Sequence, residues 1–447
     1  MTYIMITNGY DWGPAIDKII LDLETIVDSK SFNKDDFSVK VQRTYAKTQI
    51  FERKITAAYS SDAVGNQTAE SRYITLELEV GPNKIEGSPF NYNASTGRNE
   101  YVQTSYEIAL MPMHQLKSNT GDDLALGEGV FHECTGELNP LCDRFVQNQA
   151  FQFDDVLLTY AHFEPKSTSN TEQVTSTCKK PLIIWLHGAG EGGLDTSIPL
   201  LGNKVTNLIT SDIQRFFGPL GAYILVPQAP TMWMDYNGAS VYNTTVSESD
   251  GYSHYTLALK ELIDTFISEH DAIDIDRIYI GGCSNGGYMT VRLLIDYPDF
   301  FAAAFPTCEV FENEWLTDAR IEKIKHIPIW LVHSQDDPVI RISRFDRLSG
   351  VPLYDPNGNF IPLDTFSNAL FDRMLRAGNQ NCYYSRYDYV IDPTGRYNTE
   401  DGKAYVYHGH WSWIYTLNNS CTQTIDGKTV SLFEWLSNQK RNVNNPS

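Results

Sequence analysis

The sequence predicts two domains of different class. An all-β sandwich occupies residues 1–115, and a mostly parallel, doubly wound α/β sheet with helices on both faces occupies 141–447, with a connection at 116–140. Three observations carry this reading. The first part alternates apolar and polar residues with period two and lacks any long helical pattern. The remainder alternates short, wholly apolar runs with segments of helical period. The length of 447 residues also exceeds what a single core commonly organises.

In the first part, Phe37, Val39 and Val41 point one way while Ser38, Lys40 and Gln42 point the other. Ile74, Leu76, Leu78 and Val80 repeat the pattern against Thr75, Glu77 and Glu79. The run KIILDL, built on Ile19, Leu21 and Leu23, reads as the opening strand. Polar turn clusters, SSDAVGNQ and EVGPNKIEGS, separate the strands, as two packed antiparallel sheets require. The following stretch, rich in Gly, Asn and acidic residues, reads as the connection.

The second part opens with buried-type strands PLIIWLHG (181–188) and AYILVPQ (222–228). SHYTLALKELIDTFISEH then spaces Leu259, Leu262, Ile263, Phe266 and Ile267 along one helix face. A strand at 277–282, a helix from Asn285 to about Asp296, strands at 302–306 and 327–334, and a terminal helix in SLFEWLSNQ complete the alternation.

Composition narrows the partners. The chain is 42% hydrophobic and 12% aromatic, which excludes a disordered chain. Lys+Arg is 35 against Asp+Glu 56, a net charge of -21, so nucleic acid and anionic lipid are poor partners. No apolar run is long enough for a membrane span, so no membrane insertion is expected. The seven cysteines show neither CxxC pairs nor Cys/His ligand spacing, and the reading assigns no metal. A Cys134–Cys142 bridge and a fully reduced set both remain open. MTYIMITNGYDWGPA lacks a basic then apolar leader, giving a cytoplasmic chain as the sequence stands; a secreted chain whose leader has been removed is the alternative.

The most informative residues are Gly281-Gly282-Cys283-Ser284-Asn285-Gly286-Gly287, between an apolar strand and a helix. The GxSxG spacing has a steric cause: the serine sits in a strained turn, and Gly282 and Gly286 keep side chains out of the space where strand and helix meet. Such a serine is a nucleophile candidate, and it needs a base oriented by a carboxylate. In this kind of fold the acid and then the histidine follow the serine in sequence. His326 precedes a strand and His333 lies within one. His410, at the end of the apolar run AYVY and after Gly409, is preferred to His408. Asp337, before Pro338-Val339 in HSQDDPVI, is preferred to Asp336, and the neighbour left over is expected in an Asx turn. The oxyanion donors are expected to be the N–H of Asn285 and that of Ala189, with Gly190 as second choice. His187 is read as structural.

LHGAGEGG, VPQAP-x-MW, GGCSNGGYM, HSQDDPVI and GHWSW, in this order, resemble the α/β-hydrolase superfamily. They are most similar to its polyhydroxybutyrate-depolymerase-like and prolyl-oligopeptidase-like serine esterases. GYDWGPAIDKIILDL and the β-rich sequence after it resemble the immunoglobulin-like N-terminal domain of one bacterial esterase group. The resemblance implies a carboxylic ester hydrolase with Ser284, Asp337 and His410 as a triad and Asn285 and Ala189 as oxyanion donors. It needs no metal or organic cofactor. Cys283 resembles the elbow cysteine of tannases and feruloyl esterases, which pairs with a cysteine beside the histidine. Trp411 stands there in this chain and the nearest later cysteine is Cys421, so Cys283 is read as a small buried side chain.

Trp233, Tyr288 and Trp411 flank the machinery as candidate pocket walls, with core packing as the bland alternative. Short or medium acyl esters, free or polymer-linked, are the default substrates, and feruloyl-like aryl esters come next. Two other readings stay open. One is a prolyl-oligopeptidase-like peptidase, although no propeller repeat accompanies the motifs. The other is a binding or adhesion protein with an inert hydrolase domain. Homo-oligomer contacts are assigned, if present, to the N-terminal domain, and SGVPLYDPNGNFIPLD is read as a surface insertion or substrate-covering loop.

Overall fold

In the computed structural model, residues 2–111, 114–125, 129–166, 179–238, 251–342, 345–346, 351–352 and 364–441 are described. The chain divides into two compact units: Met1–Arg144 with Leu201–Lys204, and Phe145–Leu200 with Val205–Ser447.

The first unit contains β1 (Thr2–Tyr10), β2 (Gly13–Val27), β3 (Phe37–Thr44), β4 (Thr48–Arg53), β5 (Ile55–Ser61) and β6 (Ser71–Leu78). A small hairpin of β7 (Phe90–Asn93) and β8 (Arg98–Tyr101) is followed by β9 (Gln103–Leu110), β10 (Val130–Phe131) and β11 (Glu133–Leu138). One sheet has the order β11-β1-β2-β6-β5 and the other β10-β9-β3-β4. Ile19, Leu21, Ile74 and Leu76 from the first sheet and Val39, Val41 and Ile108 from the second share one core, so the period-two pattern does face inward. Each such side chain contributes about 1.5–3 kcal/mol on burial. Two elements depart from the sequence reading. KIILDL lies inside β2, with β1 ahead of it and antiparallel to it. Within the segment read as connection, β10 pairs with β9, and β11 pairs parallel with β1, adding strands to both sheets. The β1–β11 pairing joins the two ends of this unit, and local periodicity carries no signal for that.

The second unit is built on an eight-stranded sheet. Its strands are β12 (Val146–Phe153), β13 (Val156–Phe163), β14 (Lys180–Leu186), β15 (Tyr223–Gln228), β16 (Ile273–Cys283), β17 (Ala303–Thr307) and β18 (Ile329–Ser334). A minor pair, β19 (Phe345–Asp346) with β20 (Val351–Pro352), precedes the last strand of the sheet, β21 (Cys382–Tyr387). The order is β12-β13-β15-β14-β16-β17-β18-β21, with β12 and β13 antiparallel and β15 onward parallel. The helices include α1 (Thr256–Glu269), α2 (Asn285–Asp296), α3 (Asp318–Ile324), α4 (Phe366–Arg376), α5 (Trp413–Leu417) and α6 (Leu432–Ser437).

Both faces of this sheet are covered. Ile184, Ile278 and Ile280 join one core with Leu259 and Ile263 of α1 and Met289 and Leu293 of α2. On the opposite face Trp185 packs at 5.9 Å from Phe305, which meets Phe433 of α6 at 5.8 Å. Strands buried on both sides must be apolar throughout, and this is the cause of the unbroken runs in β14 and β15. The segment SGVPLYDPNGNFIPLD falls largely outside the described residues. Among the described residues no helix is long and apolar enough to cross a membrane.

Candidate active site

Ser284 stands between the end of β16 and the start of α2, half-buried, with φ 53 and ψ -115. Such a backbone is costly for a residue with a Cβ, about 1–3 kcal/mol, and close packing holds it there. The Ser284 N–H donates to the Thr307 carbonyl at 2.9 Å, and the Ser284 carbonyl accepts from the Tyr288 N–H at 3.0 Å. The flanking glycines are required. A Cβ on Gly286 would lie 2.0 Å from the Leu186 carbonyl oxygen, and one on Gly282 would lie 2.6 Å from the same atom. A Cβ on Gly287 would meet that of Glu309 at 2.7 Å. The turn therefore lifts Ser284 at the carboxyl ends of the parallel strands, against the first turn of α2 with its unbonded amides.

The loop after β14 abuts this turn. A Cβ on Gly188 would sit 3.6 Å from the Cys283 sulfur. His187 is fully buried and holds the loop: its Nε2 accepts from the Ala229 N–H at 3.0 Å, and its Nδ1 donates to the Gly188 carbonyl at 2.6 Å. Both ring nitrogens are committed to backbone, as a structural histidine requires. Ala189 opens a short helical turn over Ala189–Glu191 beyond it and is half-buried. The Asn285 side chain accepts from the Met234 N–H at 3.2 Å, which ties the QAPTMWM segment to the elbow.

Asp337 and His410 come together from opposite ends of a long stretch of chain: His410 Nδ1 donates to Asp337 Oδ2 at 2.8 Å. The other carboxylate oxygen, Oδ1, accepts from the N–H groups of Val339 and Ile340, both at 2.8 Å. The expected Asx turn is thus made by Asp337 itself, while Asp336 accepts from the Ser334 hydroxyl. Burial acts to raise the Asp337 pKa, but hydrogen bonds from His333 and His410 outweigh it and hold the carboxyl well below the usual range. Gly409 allows the two loops to touch, since a Cβ there would lie 2.6 Å from the Asp336 carbonyl oxygen. His408 is exposed, and its Nδ1 accepts from the His410 N–H at 3.3 Å. His326 lies elsewhere, 3.4 Å from Asp299.

Sequence reasoning missed the second histidine on this carboxylate. His333 Nε2 donates to Asp337 Oδ2 at 3.1 Å and to the Ile340 carbonyl at 3.1 Å, while Nδ1 accepts from the Ser367 hydroxyl at 2.8 Å. Complete burial lowers its pKa, in keeping with a neutral ring that donates from Nε2 only. The i, i+4 spacing in HSQDD was the visible signal.

The aromatic candidates divide. Trp233 is fully buried against His187, with ring centroids 5.0 Å apart. Tyr288 is buried beside Phe311 at 5.5 Å, and its hydroxyl donates to the Gly251 carbonyl at 2.9 Å. Both belong to the packed interior and offer no accessible wall: Trp315 also meets Tyr288 at 5.9 Å, and Tyr255 meets Trp233 at 6.1 Å. Trp411 is half-buried, 6.0 Å from His408. Among the described residues Cys134, Cys308, Cys382 and Cys421 are free thiols.

Residues 2–121 match the esterase Ig-like N-terminal domain family, and residues 170–350 match the phospholipase/carboxylesterase family. The chain is similar over 98% of its length to a solved structure described as a thermostable esterase, covering 100% of that chain with 24% identity and a TM-score of 0.73. It is 40% identical over 50 residues to poly(3-hydroxyalkanoate) depolymerase C of Paucimonas lemoignei, a match covering 11% of this chain and 12% of that protein. The protein therefore has an α/β-hydrolase fold preceded by an Ig-like N-terminal domain, and residues 170–350 are similar to the phospholipase/carboxylesterase family.

Proposed function

We propose that the protein is a serine carboxylesterase working through an acyl-enzyme on Ser284, with His410 as base, Asp337 as its orienting acid, and the Asn285 and Ala189 amides as oxyanion donors. The observation that carries this reading is the 2.8 Å bond from His410 Nδ1 to a buried, ionised Asp337, found in a unit that also strains Ser284 into an elbow.

The chemistry follows from those atoms. With Nδ1–H given to Asp337, His410 Nε2 keeps its lone pair and takes the Ser284 hydroxyl proton as Oγ attacks the ester carbonyl. The carbonyl oxygen becomes an oxyanion held by the two amides, each worth roughly 10²–10³ in rate. As the C–O bond to the alcohol breaks, His410 passes the proton to the leaving oxygen. Water then gives a proton to His410 and attacks the acyl carbon, and Ser284 departs with that proton. Asp337 remains ionised throughout. Short or medium acyl esters are the default substrates, because Trp233 and Tyr288 are committed to packing. Feruloyl-like esters are the second class to test.

The test is Ser284→Ala against a panel of p-nitrophenyl esters of increasing acyl length, with feruloyl esters beside them. Loss of turnover with unchanged thermal unfolding is expected. Wild-type turnover in the variant would overturn the assignment.

A further inference from the structure

At the other end of the α/β sheet lies a cluster that the hydrolytic reading does not use. His162 is near the end of β13, opposite Leu225 in the antiparallel pairing with β15, so it sits where the parallel strands begin. His270 caps the C-terminal end of α1, and Glu164 follows β13. Glu164 Oε1 is 3.4 Å from His270 Nε2 and 3.7 Å from His162 Nε2, and one donor atom from each residue lies within 4.8 Å of the others.

We propose that His162, Glu164 and His270 form a binding site for a divalent cation of the zinc type. Zinc bonded to nitrogen and oxygen at about 2.0–2.2 Å sets tetrahedral ligand atoms about 3.4 Å apart, close to the two spacings found with Glu164. His270 is already oriented as a ligand: its Nδ1 donates to the Phe266 carbonyl at 2.7 Å, which leaves the Nε2 lone pair facing Glu164. His162 supplies an independent observation. It is 9% exposed, its Nδ1 has no hydrogen-bond partner among the described residues, and its Nε2 comes no nearer than 3.7 Å to the Glu164 carboxylate. Its Nε2 thus faces the Glu164 carboxylate without a hydrogen bond and has a lone pair open to a metal, with the ring proton on the unpaired Nδ1.

The surroundings favour a cation. The carbonyl end of the fourteen-residue α1 points at the site. The Lys180 ammonium nearby counts against a cation, but it is engaged by the Pro165 carbonyl at 2.7 Å and lies over the Tyr223 ring. Phe266 packs 4.0 Å from the His270 ring and 5.2 Å from that of His162, fixing both imidazoles. Glu164 is half exposed, so a water has room as fourth ligand. Three protein ligands with one open position, distant from the elbow, make a clamp between β13 and α1 that binds only the folded chain and so stabilises it.

The experiment is calorimetric titration of zinc chloride into the full chain, with thermal unfolding alongside and magnesium chloride as control. Neither readout depends on ester turnover, so its outcome is separable from that of the Ser284 reading. One zinc per chain is expected, with a raised unfolding temperature and no effect of magnesium. Glu164→Gln and His270→Gln should each weaken zinc by more than about tenfold while unfolding like the parent in EDTA. Failure of the parent to bind zinc overturns the proposal. So does binding that survives both substitutions, since it places the ion elsewhere.

Discussion

His333 and Asp337 are paired inside the protein at 3.1 Å, and the oxygen of Asp337 that His333 reaches is the one that accepts from His410. One carboxylate oxygen thus takes two imidazole donors, while its partner is fixed by two backbone amides. This makes His333 a positioning residue for Asp337. In His333→Asn the lost bond to a charged acceptor should cost about 1.5–3 kcal/mol of stability. The kcat should fall while KM stays near the parent value, because imidazole orientation counts only in the chemical step. Urea unfolding and steady-state kinetics on the same preparation check both. A stability loss with unchanged kcat would reduce His333 to packing.

Asp337→Asn should lower kcat by about 10⁴. It should also change the acid stability profile in a defined direction. The folded pKa of Asp337 lies below its unfolded value, so its contribution is fully present above about pH 4 and is lost as pH falls through the folded value. The stability gap between parent and variant should therefore be widest at pH 7 and shrink at pH 3, as read by urea unfolding at the two values.

Glu309 predicts the opposite slope. It is fully buried beside the elbow; burial raises its pKa to about 8, against the lowering effect of the Phe311 amide and the Ser367 hydroxyl. A carboxyl held protonated by the fold loses its stabilising contribution as pH rises from its unfolded value, about 4.3, through its folded value. Glu309→Gln should flatten the fall in stability between pH 5 and pH 8. Equal slopes for parent and variant would contradict the burial argument.

Two glycines give a steric contrast. Gly286→Ala places a Cβ 2.0 Å from a backbone oxygen that cannot swing away, so both folding stability and ester turnover should drop sharply. Gly136→Ala, in β11, meets nothing within 4 Å and should change unfolding by less than about 0.5 kcal/mol. Thermal unfolding of the pair decides it.

What could be read from the sequence was local. The elbow announces itself because Gly282, Ser284 and Gly286 satisfy one steric problem within five residues. Chain order and strand ends point to Asp337 and His410, and the structure pairs them by a hydrogen bond where β18 and the YHGHW loop finish. Contacts joining distant segments were not legible: the pairing of β1 with β11, the second histidine on Asp337, and the meeting of His162 with His270. Trp233 and Tyr288 show the complementary error, because nearness in sequence to the machinery does not say which way a ring faces. For each, the tightly packed interior that positions Ser284 takes the ring in.

The central claim is that Ser284 is an activated nucleophile, and the most direct test is reaction of the folded protein with a fluorophosphonate, with the adduct located by peptide mass spectrometry. The expected result is one modification, on Ser284, formed at the same rate as ester turnover is lost, and abolished in His410→Ala. Inactivation with the label on another residue, or full ester turnover in a protein whose Ser284 is completely modified, would contradict the account.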